Sequence, residues 1–142
     1  MSNFVPPAAT LLQAASQYLE GELMPTLQGY QRFQTRVIVN VLRIVERELR
    51  LSDAQISAEG ARVAALLDAK SIDWAASADL TAEADQPSAS SANDALNASL
   101  CDAIRDGRFA LDDPQLLTHL RETLRGALSI NNPKWLPANA GR

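Results

Sequence analysis

Histidine and cysteine are almost missing from this chain of 142 residues, which has one of each, His119 and Cys101. An intramolecular disulfide is therefore excluded, and so is a zinc site built from several histidines. Aromatic residues make up only 5% of the sequence, so any core must be aliphatic. The glycines at 21, 29, 60, 107, 126 and 141 stand alone, and no glycine-rich phosphate loop can be assembled from them. No apolar run approaches the roughly 20 residues that span a bilayer, and the opening MSNFVPPAATLL has no basic region followed by a long apolar one. A protein with no membrane span and no secretory leader is expected, located in the cytoplasm. Net charge is −4, which argues against nucleic acid as a partner.

The charge is unevenly placed. Residues 51–113 hold twelve acids against Arg62, Lys70, Arg105 and Arg108, whereas residues 1–50 hold five arginines against four glutamates. The length fits one domain, large enough to bury roughly two-thirds of its unfolded surface.

The stretch YQRFQTRVIVNVLRIVERELR, from Tyr30 to Arg50, is the strongest pattern. At a helical period its apolar side chains, among them Tyr30, Phe33, Val37, Val41 and Leu49, fill about half of the circle. Arg32, Arg36, Asn40, Arg43, Arg47 and Arg50 fall within about 80° of one another on the opposite side. The fold predicted around this helix is all-α: a single-domain bundle of about five helices with residues 30–50 as its central wall. A first helix covers residues 8–24, stopped by Pro25, with Gly29 as a hinge. A third helix starts at Ser52 or Asp53, is weakened by Gly60 and ends near Asp68. Residues 69–92 are rich in Ser, Ala and Asp and read as a flexible loop, pinned where Ile72 and Trp74 find an apolar groove. Asn93 or Asp94 opens a fourth helix that Gly107 terminates. Asp112 or Asp113 before Pro114 opens a fifth, stopped at Asn131, Asn132 and Pro133, with Trp135 and Leu136 folding back onto the bundle.

Candidate chemistry is sparse. His119 is expected as a half-exposed surface residue and Cys101 as a buried, inert thiol, so no catalytic residue, metal site or cofactor is expected and the chain is not read as an enzyme. The arginine stripe stands out, with Arg36, Asn40, Arg43 and Arg47 as its site residues. Guanidinium forks bind phosphate and carboxylate bidentately, so the stripe is either an anion site or a salt-bridge ladder to acids such as Glu20, Asp102 or Glu122. Val39 lies outside the broad apolar face. Neither it nor Trp135 has obvious cover, so a two-fold homodimer and a monomer with its tail folded inward both stay open.

The run FQTRVIVNVLRIVERELRL, Phe33 to Leu51, resembles the signature of an uncharacterised bacterial family of small helical domains. Leu11 to Leu27, LNASLCDAIRDGRFALDDPQLLTHLR (Leu96 to Arg121) and NPKWL (Asn132 to Leu136) carry the resemblance further, over most of the chain except residues 69–92. It makes Arg36, Asn40, Glu46, Arg47 and Glu48 motif positions without giving them a role. The chain departs from the pattern at Ile38 and Val39, where small alanines are common. Members have no assigned function and occur beside, or fused to the C-terminal side of, aminoglycoside-phosphotransferase-like kinases, often near acyl-CoA dehydrogenases. The resemblance implies a non-catalytic accessory or interaction domain whose partner is such a kinase. The alternative is a small-molecule domain that holds an acyl-CoA or a phosphorylated acid on the arginine stripe.

Overall fold

The computed structural model describes residues 5–75 and 89–137. Among these the chain is all-α, with four α-helices rather than the five expected. We number them α1 (Ala8–Tyr18), α2 (Gly29–Ala69), α3 (Ala89–Arg105) and α4 (Pro114–Asn131).

The missing helix boundary is the one predicted at Ser52 or Asp53. Instead, α2 runs unbroken for 41 residues, roughly 60 Å. Ser and Asp cap a helix only where the chain already turns. No Pro or Gly lies between Arg50 and Ala54, and the small propensity cost of Ser52 and Asp53 is less than that of nucleating a new helix. Gly29, at φ +55°, supplies the left-handed turn from which α2 departs.

Ahead of it, the helical path continues past Tyr18 through a π-helical turn, Leu19–Leu23, and a 3-10 turn, Met24–Thr26. Pro25 has no N–H to give to the ladder. The last bond before it stretches to Met24 N–H donating to Leu19 O, and the chain then tightens.

Two compact units emerge, one from the segments Met1–Ser52 and Leu128–Arg142, the other from Asp53–Ala127. The second unit holds the hydrophobic core: Val63, Leu66, Leu67, Leu100, Ala103, Phe109 and Leu116, with Ile72 and Trp74 packed partly buried against it. The core therefore gathers on the second half of α2, not on residues 30–50. Ile72 and Trp74 do find an apolar groove, and the Trp74 indole N–H donates to Asp68 at 2.9 Å. The far boundary of the predicted loop 69–92 is moved, because α3 already begins at Ala89. Its residues 76–88 lie outside the described residues.

Within the second unit, caps behave as the sequence suggests. Gly107, at φ +71°, ends α3, with its N–H donating to Ile104 O and that of Arg108 to Ala103 O. Asp113, not Asp112, caps α4: its Oδ1 accepts from the backbone N–H of Gln115 at 3.0 Å and of Leu116 at 3.1 Å. Its Oδ2 also meets Lys70 Nζ at 3.0 Å, and Lys70 lies over the Phe109 ring. One carboxylate thus fixes both the start of α4 and the turn after α2.

Gly60 is no weak point in α2. A Cβ there would collide with the side-chain amide of Asn93, which is itself buried and donates to Glu59 at 3.4 Å. Asn93 therefore sits inside α3, where it accepts close approach to α2, and is not its cap. Gly60→Ala should consequently forfeit the gain of about 1 kcal/mol that alanine normally brings to a helix. In an Asn93→Ala background the same substitution should stabilise by about 1 kcal/mol. Urea midpoints of the four chains measure that coupling directly.

Candidate functional site

In the first unit, α2 presents two opposite sides to very different surroundings. Thr35 and Val39 are buried, and Leu42 and Glu46 partly so, at a spacing of four, three and four that keeps them on one side of the helix. The broad apolar face lies on the other side and is exposed: Tyr30 (74%), Phe33, Val37, Ile38, Val41, Val45 and Leu49 (53%). This reverses the expectation for both. Val39 has its cover, whereas the face predicted to form the central wall has none. Trp135 also stays exposed, in a 3-10 turn Pro133–Trp135, and does not fold back.

Polar contacts accompany this arrangement. Arg43 pairs with Glu20, and Arg47 Nε donates to the Ile130 carbonyl at 2.6 Å. Arg50 donates to Gln13 at 2.9 Å and pairs with Glu46 at 3.0 Å. Arg43, Arg47 and Arg50 thus reach other parts of the unit, while the apolar face stays outward. Of the stripe residues, Arg43 and Arg47 thus have internal partners, while Arg36 and Asn40 are exposed, with no hydrogen bond or ion pair among the described residues. Asp102 and Glu122, the other acids considered for the ladder, pair with Arg105 and Arg125 on their own helices.

A second feature lies wholly within the second unit. Arg62, Ala65, Leu66 and Ala69 share one side of α2. Facing them are Pro114, Gln115, Thr118 and His119 at the start of α4, and the cleft between has a volume of about 440 Å³. His119 is 4% exposed, not half exposed, and its Nδ1 is buried without a hydrogen-bond partner; Arg62 Nε is likewise buried and unpaired. The sequence hid this because His119 sits only just beside the leucine stripe of α4, and which side of that stripe is covered depends on where α2 lies. Cys101 is reversed in the other sense: it is exposed.

Burial lowers the His119 pKa below 6.5, the Arg62 charge lowers it further, and Glu59 opposes both. The folded chain therefore takes up this proton less readily than the unfolded chain. Stability is kept above about pH 6.5 and lost as pH falls below it, at most about 1.4 kcal/mol per pH unit for one proton. Urea midpoints at pH 7.5, 6.5 and 5.5 should show that decline, and His119→Gln should flatten it. Asp113 acts only in stronger acid. The Leu116 N–H and Lys70 hold its carboxyl below 3.8, so its contribution disappears only below that pH.

The family described as Domain of unknown function (DUF6285) matches residues 25–135, well over half of the chain. Searches of curated proteins and of solved structures give no match. The matched span contains both the exposed face of α2 and the cleft.

Proposed function

The chain belongs to the family described as Domain of unknown function (DUF6285), and from that premise we propose that it is a non-catalytic interaction domain that docks onto an aminoglycoside-phosphotransferase-like kinase. The observation that carries this reading is the uncovered apolar face of α2. Its seven large side chains, from 39% to 74% exposed, offer roughly 600 Å². That equals the largest patch found on typical monomers and approaches the roughly 800 Å² that each partner gives to a standard interface.

Burying it would release about 15 kcal/mol before the cost of association, which takes most of that back. Complementary charge then decides the partner. Arg36 and Asn40 at one edge of the face call for carboxylates on the enzyme surface. The choice of a phosphotransferase-like kinase rests on the resemblance carried by Phe33–Leu51, the stretch that supplies most of this face.

Co-expression of the chain with a tagged neighbouring kinase, followed by light scattering of the eluted peak, tests the proposal. A complex of defined mass at micromolar concentration is the expected result. A kinase that elutes alone at ten times that concentration would sink it, as would a homodimer of the chain that excludes the enzyme. An acyl-CoA or phosphorylated acid on the arginine stripe has less support, because Arg43 and Arg47 are already engaged by Glu20 and Ile130.

A further inference from the structure

The cleft of the second unit takes no part in that docking surface and has a chemistry of its own. Its volume of about 440 Å³ falls within the range of small-molecule sites and has room for on the order of ten non-hydrogen atoms. Ala65, Leu66, Ala69 and Pro114 give it short apolar walls. Among the described residues that line it, Arg62 is the one full charge.

That charge has no ion-pair partner among the described residues, and the Arg62 Nε has no hydrogen-bond partner there. Glu59, one turn earlier on α2, is the natural candidate to neutralise it. However, Asn93 and Asn97 each donate to Glu59 at 3.4 Å and hold its carboxylate toward α3. Beside Arg62, buried His119 adds a ring nitrogen that no described residue satisfies. Buried polar atoms without partners are rare in folded chains, and two on adjoining residues of one cleft point to a polar group that arrives from outside.

We propose that this cleft binds a small organic monocarboxylate with an apolar body, the carboxylate on the Arg62 guanidinium and the body against Ala65, Ala69 and Pro114. One guanidinium fork matches one carboxylate in charge and in shape. An inorganic phosphate, with about twice the charge and no apolar part, would leave the walls wet and a second charge uncompensated. The apolar walls in turn reject a carboxylate with a hydrated body, whose polar groups would lose water without gaining partners.

Isothermal titration of the whole chain with hexanoate and with benzoate tests this, with hexanamide and inorganic phosphate as comparisons. One saturable site for a carboxylate is expected, with the amide and phosphate each at least tenfold weaker. Arg62→Gln should weaken carboxylate binding at least tenfold. Ala65→Phe, at an exposed position where a larger side chain fills the cleft without disturbing the core, should abolish it. If Arg62→Gln does not fold by circular dichroism, Ala65→Phe decides alone. No heat of binding up to 20-fold above the protein concentration at about 1 mM protein would overturn the proposal. So would equal affinity for hexanamide, equal affinity for phosphate, or unchanged binding in folded Ala65→Phe. None of these outcomes bears on the kinase complex, which uses the other unit.

Discussion

Leu67→Ala is expected to destabilise the second unit by about 3–4 kcal/mol, a large share of the roughly 5–15 kcal/mol that holds a typical domain together. Leu67 is 0% exposed and sits in the cluster with Val63, Leu100 and Phe109, so the removed methyl groups leave a cavity that no surface residue can fill. Lost transfer energy and lost dispersion contacts both count there. The control is Leu111→Ala, at a side chain 92% exposed, which should change stability by less than about 0.5 kcal/mol. Helical circular dichroism followed through urea denaturation measures both. The pair also tests where the core lies: Val41→Ala, half exposed, should cost less than about 1 kcal/mol, although a core centred on residues 30–50 would make it the costliest of the three.

Charging the α2 face should have the opposite profile, with little effect on folding and a large one on association. Val41→Glu lies at the middle of the seven exposed side chains, so in the free chain its carboxylate stays in water. In a complex the same group would be buried against apolar surface with no partner, which costs several kcal/mol. Binding to the kinase proposed as partner should weaken by at least a hundredfold while the urea midpoint moves by less than about a tenth of its value. Binding retained at full strength would remove this face from the interface. Val39→Glu supplies the contrast: Val39 is 4% exposed, so there the fold itself should suffer.

Much of the architecture was legible in the chain. The helical period of Leu11–Leu23, Tyr30–Leu51, Leu96–Ile104 and Leu116–Leu128 specifies an all-α protein, because each stretch repeats its apolar residues about every third or fourth position. The stop at Gly107 and the cap before Pro114 were equally legible, since both depend on the backbone preferences of single residues. Pairing of Arg43 with Glu20 was among the alternatives, as opposite charges on neighbouring helices. The boundary at Ser52 failed for a related reason. A capping side chain marks a helix start only when the chain turns there, and the sequence near residue 52 contains nothing that forces a turn.

What sequence alone determined was local: which residues favour a helix, where a glycine or a proline interrupts it, and that α2 has one apolar and one cationic side. Which side of α2 faces inward is not a local property. The side that packs carries Thr35, Val39, Leu42 and Glu46, and Arg43, Arg47 and Arg50 reach past it to Glu20, the Ile130 carbonyl and Gln13, partners up to 83 positions away in the chain. The same holds for His119 and Gly60. A histidine becomes a buried cleft residue, and a glycine a point of close approach, only once a second helix is laid against it. Periodicity fixes a helix face, but burial is a relation between two surfaces, and tertiary packing supplies the second one.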